Sequence, residues 1–234
     1  MLTFVSKDLY WAAEDAGVLD LYEMDDWWHI KTIQDAIVLH RYKDIAGKQI
    51  ADIGSSEGRI VRHLAKKNQC DCIDGLVEGT GGVMAMPKIA GARNIVATIG
   101  AFSPNVPSNH YDVIYSISVV EHVPEDAIDA FMRDCLRILK PGGEMMHLID
   151  LYVENDAPAN AVANRRLELY RGAFDIGFEP FGDMLPAGGV RFDCSWATNP
   201  DNMMNRWNKS VPELREKRAR SQACSLILHA RKRA

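Results

Sequence analysis

The segment Asp52-Ile53-Gly54-Ser55-Ser56-Glu57-Gly58 follows a short apolar run, Gln49-Ile50-Ala51, and precedes a helical pattern from Arg59 to Ala65. Glycines at such a place let backbone approach a ligand, and a helix N-terminus offers unpaired N–H groups, so this loop can bind a nucleotide-like molecule. Ser56 stands where a pyrophosphate cradle carries its middle glycine, which weakens a dinucleotide reading. A second apolar stretch, Cys70 to Asp74, ends about 20 residues after the loop, the separation at which an acid on the neighbouring strand takes both hydroxyls of a ribose. Asp74 holds that position, and Glu78, four residues on, is its rival.

These residues need a scaffold that brings strand ends together. Residues 7 to 45 read as a helical lead-in, with Leu9, Ala12 and Ala13 and then Ile33, Ala36 and Ile37 at helical spacing. It is interrupted by Asp25-Asp26-Trp27-Trp28-His29-Ile30, whose aromatics suit either core packing or a lid. Further strands are expected at Asn94 to Thr98, Tyr111 to Ser116 and Met145 to Asp150. A helix from Pro124 to Leu139 places Ile128, Phe131, Met132, Cys135, Leu136 and Leu139 on one face and stops at Lys140-Pro141-Gly142-Gly143. Residues 154–189 read as an insertion containing one helix, near the acceptor site. The chain then offers Val190 to Cys194, a helix around Val211 to Arg220, and a strand from Cys224 to Ala230 that can pair antiparallel at the sheet edge. Together these elements predict one Rossmann-like α/β domain over residues 1–234. Its mainly parallel seven-stranded sheet has helices on both faces and an antiparallel edge strand.

Composition removes several alternatives. The 234 residues are 47% hydrophobic and 25% charged, enough for one sizeable core, and no apolar run reaches the ~20 residues of a membrane span. A formal net charge of -5 opposes a broad phosphate-binding surface, so neither nucleic acid nor membrane is an expected partner. Five cysteines without a CxxC pair fit reduced thiols, and Cys70 and Cys72 should fill the core from one face of a strand. The first residues lack a basic region followed by an apolar run, so a cytoplasmic protein is expected.

Several segments in order resemble the class I S-adenosylmethionine-dependent methyltransferases over roughly residues 45 to 153. Asp52 to Gly58 is similar to the family's first motif and Ile73-Asp74 to its acidic second-strand end. Tyr111 to Ser116 is similar to its fourth strand, and Glu121-His122-Val123-Pro124 and Leu139 to Gly143 to the signatures that follow. The resemblance implies S-adenosylmethionine as cofactor, held by the loop residues Asp52, Gly54, Ser55, Ser56 and Gly58. Asp52 and Gly54 would lie near the methionine part, Asp74 at the ribose, and Ser116, Ile117 and Ser118 at the sulfonium end. Where many members carry an acid for the adenine amino group, this chain has Gly100-Ala101-Phe102, so adenine contact falls to backbone at Ala101 and to Phe102.

Methyl transfer from a sulfonium needs alignment and dehydration more than an elaborate catalytic apparatus, but an acceptor hydroxyl benefits from a base. His122 is the first candidate, with structural hydrogen bonding as its alternative role; Asp150 and Tyr152, ending the next strand, are the second pair. His147 falls at the wrong end of that strand and reads as a core or edge residue. Ser118 replaces the acid that would complete a metal site three residues before Glu121, so no metal is expected. The expected reaction is O-methylation of a small hydroxylated molecule or sugar, with N-methylation as the alternative; a homo-oligomer remains open. Two other classes compete: a nicotinamide-dependent oxidoreductase, for which no Tyr-x-x-x-Lys pair is present, and a Rossmann-like protein that binds the cofactor without catalysis, or a partner through the Trp27-Trp28 surface.

Overall fold

The computed structural model describes residues 1–21, 30–76, 85–154, 161–187 and 221–234. Its sheet contains β1 (Leu2–Phe4), β2 (Gln49–Ile53), β3 (Gln69–Asp74), β4 (Ala92–Val96), β5 (Tyr111–Ile117), β6 (Leu139–Glu154), β7 (Phe178–Pro180) and β8 (Ser221–Lys232). Its helices are α1 (Lys7–Asp15), α2 (Ile30–Tyr42), α3 (Val61–Leu64), α4 (Ile128–Ile138) and α5 (Ala161–Arg171). The strand order is β1-β8-β6-β5-β2-β3-β4, with β7 also on β8. Strands β4, β3, β2, β5 and β6 run parallel, whereas β8 is antiparallel to β6. The chain moves outward from β2 through β3 to β4, then returns to place β5 on the other side of β2. That reversal between β2 and β5 is where open α/β sheets leave a crevice at their strand ends.

The fold is the expected mainly parallel Rossmann-like sheet, with eight strands among the described residues instead of seven. Six of the seven expected strands are among them, and the two others are β1 and β7, three residues each, which cover successive parts of β8's outer edge. Both are too short for their alternation to stand out in sequence. The expected strand at Val190 to Cys194, the helix at Val211 to Arg220, Trp27, Trp28 and Glu78 all lie outside the described residues.

Period-two alternation sorts each strand's side chains between two cores. Ile50, Cys70, Cys72, Val113, Tyr115, Met146 and Leu148 face the cluster built with α1, α2 and α3. Ala51, Ile53, Ile73, Ile114, Met145 and Ile149 face the cluster built with α4 and α5. Helix α4 buries Ile128, Phe131, Met132, Cys135 and Ile138 as its spacing requires, but a 3-10 turn, Glu125–Ala127, replaces its first expected turn after Pro124. Lys140-Pro141-Gly142-Gly143 ends the helix and is itself part of β6. Pairing jumps there from Tyr111↔Leu139 to Val113↔Glu144, and Gly142 takes φ +74°, a bulge that a β-carbon would strain. Residues 161–187 of the expected insertion are woven into the main core, since Leu167, Tyr170, Ala173 and Phe178 are all buried in the α4-side cluster.

Candidate cofactor and acceptor site

A cavity of about 800 Å³ opens at the carboxyl ends of β2, β3 and β5 and at the segment after β4, within the range of small-ligand sites. Asp52, Gly54, Ser55 and Ser56 form one wall, Asp74 the next, and Ala97 to Ala101 a third. Ile117, Ser118 and His122 lie across from them, with Ala127, Ala130 and Phe131 of the α4 region below.

Gly54 adopts φ +68°, and a β-carbon on it would lie 2.4 Å from the Val119 side chain, so backbone passes here where no side chain fits. Gly58, at φ +60°, does not line the cavity; its missing β-carbon gives room to Ile89, which would otherwise be 2.2 Å away. Ser55 Oγ is buried without a hydrogen-bond partner in the cavity wall, a polar atom left for a ligand. Asp74 Oδ1 accepts the Leu76 N–H at 2.8 Å, which fixes the carboxylate at the end of β3 and leaves Oδ2 toward further partners.

The structure separates other expected site residues. Ala101 lines the cavity, but Phe102 does not and is 48% exposed. The loop holding both is pinned by Asp134 of α4, fully buried, whose Oδ2 accepts the N–H groups of Gly100 at 2.7 Å and Phe102 at 3.1 Å while Oδ1 accepts from Arg137. Ile117 and Ser118 line the cavity; Ser116 between the strands does not. Its side chain points to the α4 face, fully buried, with Oγ 2.7 Å from His147 Nδ1. His147 is fully buried as well, and burial lowers its pKa to about 3, so it is a neutral core residue. Ser116 is therefore corrected from a cofactor contact to a partner of that core histidine.

On the acceptor side His122 lines the cavity with its side chain 56% exposed. Asp150 does not line the cavity: Gln34 Nε2 donates to its Oδ1 at 2.6 Å and Ser118 Oγ, which belongs to a lining residue, at 3.3 Å. Gln34 also bonds Ser225 Oγ and accepts from Ser118 Oγ, so α2 ties together the ends of β5, β6 and β8. Tyr152 continues β6, opposite Ala223 in register. Helix α5 fixes the His122 segment from outside, through Arg166 donating to the Val123 carbonyl and Arg165 pairing with Glu125.

Three groups were not legible as site residues in the sequence. Lys31 and Asp35, one turn apart on α2, line the cavity, as does Arg59, whose Nε donates to Asp35 Oδ2 at 2.7 Å. Nothing in the lead-in distinguishes these charges from a solvated helix face. Burial pushes Asp52 up to about 7, with the Asp35 charge acting in the same direction. Asp35 itself is pushed up to about 6 by burial against the opposing pull of Arg59. Glu121 is the third: both carboxyl oxygens are buried without a hydrogen-bond partner, and burial, then the Asp150 charge, raises it to about 8. Among the described residues no group of three or more His, Cys, Asp or Glu side chains is arranged to hold a metal ion.

Residues 51–147, which hold the glycine loop, Asp74 and His122, match the family described as a methyltransferase domain. A curated relative, the ubiquinone biosynthesis O-methyltransferase of Sodalis glossinidius, is 27% identical over 139 residues, 51% of this chain and 52% of the relative. The chain thus spans about half of that protein's length in the match. Among solved structures, a phosphoethanolamine N-methyltransferase of Haemonchus contortus in complex with S-adenosyl-L-methionine superposes with TM-score 0.54 at 17% identity, covering 94% of this chain and 57% of that one. The cyclase SpnF gives TM-score 0.54 at 19% identity over 91% and 86% of the two chains. At such identities the structural likeness speaks for the fold alone. Over residues 51–147 the chain is thus similar to the methyltransferase-domain family, and its fold is that of S-adenosylmethionine-dependent methyltransferases.

Proposed function

We propose that this protein is an S-adenosylmethionine-dependent methyltransferase that methylates a hydroxyl of a small molecule or sugar. The observation that carries the reading is one cavity lined by the strained Gly54 loop, Asp74, Ser118 and His122 at the switch point of the sheet. Its residues fit the cofactor. Ser55 keeps an unpartnered buried hydroxyl, Asp74 suits a ribose, and the Ala97 to Ala101 wall is apolar enough for a base.

When bound, S-adenosylmethionine supplies a methyl group activated on a sulfonium. The protein's task is orientation and exclusion of water, which can account for about 7 kcal/mol or more of a barrier. In the proposed arrangement Ser118 and Ile117 border the reacting end, and His122 takes the acceptor's proton on a ring nitrogen. The partial exposure of His122 lets it pass that proton to solvent. Asp150 and Glu121 stand behind it as acidic groups, and Tyr152 extends the same strand end. The curated O-methyltransferase relative supports a hydroxyl acceptor. The Glu121 and Asp150 carboxyls favour a second reading, an amine acceptor, because paired acids attract a cation.

Calorimetric titration with S-adenosylmethionine, S-adenosylhomocysteine and NAD tests the cofactor. The first two should bind and NAD should not, and Asp74→Ala should weaken binding by about ten- to a hundredfold through the lost charged hydrogen bonds. Transfer of labelled methyl to a panel of phenols, sugars and amines then tests the acceptor, with His122→Ala expected to lower kcat for a hydroxyl acceptor by about a hundredfold. Preference for NAD would overturn the reading.

A further inference from the structure

Ser118 follows β5 in a left-handed backbone, φ +53°, which a residue with a β-carbon keeps only where its surroundings over-determine it. Its N–H donates to the Leu148 carbonyl at 2.9 Å, and its Oγ lies 3.0 Å from Gln34 Oε1 and 3.3 Å from Asp150 Oδ1. Gln34, fully buried on α2, donates from Nε2 to the same Asp150 oxygen at 2.6 Å and to Ser225 Oγ at 2.9 Å. Asp150 is thus joined to the cavity through Ser118, which lines it. Among the described residues, the groups bonded to Asp150 are an amide and a hydroxyl, whereas Asp71, Asp112 and Asp134 are bonded to Arg93, Lys140 and Arg137. An amide and a hydroxyl fix a carboxylate without neutralising it, so its field acts on the ligand beside Ser118. The sheet order β5-β2-β3-β4 decides which part of the ligand that is. With a ribose at Asp74 after β3 and the base along Ala97 to Ala101 after β4, the ligand's 5′ end runs back past Gly54 toward Ser118.

We propose that Asp150, fixed by Gln34 and Ser118, is a specificity-determining residue that makes the site prefer the positively charged sulfonium cofactor to its neutral thioether product. The inference rests on the cofactor reading above and adds to it a means of telling cofactor from product. Gln34 is then a positioning residue, acting through Asp150. When the methyl group passes to the acceptor, the electron pair of the broken bond stays on sulfur and the positive charge there is gone. The carboxylate that favours entry of the cofactor therefore does not retain the product. Lys31 and Arg59 line the same cavity. Their charges are common to wild type and any Asp150 variant, so ligands that differ in charge at sulfur isolate the contribution of Asp150.

The test is calorimetric titration of the wild-type protein and of Asp150→Asn with three ligands: S-adenosylmethionine, S-adenosylhomocysteine, and sinefungin, in which a carbon bearing an ammonium group replaces the methylsulfonium. The substitution keeps the oxygen that accepts from Gln34 and removes the charge. Both cationic ligands should lose about tenfold in affinity, while S-adenosylhomocysteine changes by less than about twofold, as expected for one charge acting through a few ångströms of protein. The wild-type protein should itself bind S-adenosylmethionine at least as tightly as S-adenosylhomocysteine, a comparison that needs no variant. Equal loss for all three ligands marks a merely structural role and overturns the inference. Unchanged affinity for the cationic ligands, or a wild-type preference for the thioether, overturns it too, and each of these results leaves the cofactor reading intact. Failure of the wild-type protein to bind any of the three overturns both together.

Discussion

Strand β5 alternates its side chains between two cores, so Ile117 reaches the cavity and Ser116, one residue earlier, meets His147 under the opposite face. A buried imidazole nitrogen deprived of its partner keeps its desolvation cost, so Ser116→Ala should destabilise the protein by about 1–3 kcal/mol in denaturant unfolding. The same variant should leave S-adenosylhomocysteine affinity unchanged in titration, which a cofactor contact could not. Gly54 and Asp74 are different in kind. Their residue types already state the need for a backbone without a β-carbon and for an acid at a strand end, and the φ of +68° at Gly54 gives the reason for the first.

At the scale of elements, the loop after β4 has no acid of its own and is held instead by one reaching up from α4. Asp134 accepts two loop N–H groups and the Arg137 guanidinium from a fully buried position. Asp134→Ala should cost about 2–4 kcal/mol, read by denaturant unfolding, because it leaves two backbone donors unpaired and removes the carboxylate from Arg137, which keeps its bonds to Val106, Ser108 and Ser103. Ligands carrying adenine should bind more weakly in that variant. The β6–β8 pair depends on a different acid. Glu144 meets Arg41 of α2 at 3.0 Å, His229 of β8 at 3.4 Å and Arg231 at 3.6 Å, and Phe181 stacks on His229 beside them. Hydrogen bonds from His229 and Arg41 hold Glu144 down to about 2 although burial opposes them. A depressed carboxylate stabilises the fold above its unfolded pKa of about 4.5 and loses that contribution as pH falls toward 2. Thermal melts should therefore show an acid decline in this window that Glu144→Gln flattens, with the variant about 1–3 kcal/mol less stable at pH 7.

Across the whole molecule, Asp35, Asp52 and Glu121 are raised to about 6, 7 and 8, and all three border one cavity or its rear wall. A raised carboxylate favours the folded state while protonated. Its contribution is complete below about pH 4 and is lost as pH rises through the folded value. The protein should accordingly melt at lower temperature as pH rises from about 5 to about 8, a slope that Asp52→Asn should reduce. The amino-acid sequence alone determined the alternating α/β architecture, the glycine loop with Asp74, the buried face of α4 and the antiparallel closing strand. Each is a local pattern of period, breaker or residue type within a few turns of chain. Only the tertiary structure decided that Ser116 turns away from the cavity, that Asp134 holds the loop after β4, and that Lys31 and Asp35 from the lead-in join Asp52 and Arg59. Those facts depend on which faces of distant elements meet, and a charged residue on an isolated helix carries no mark of the wall it will help to build.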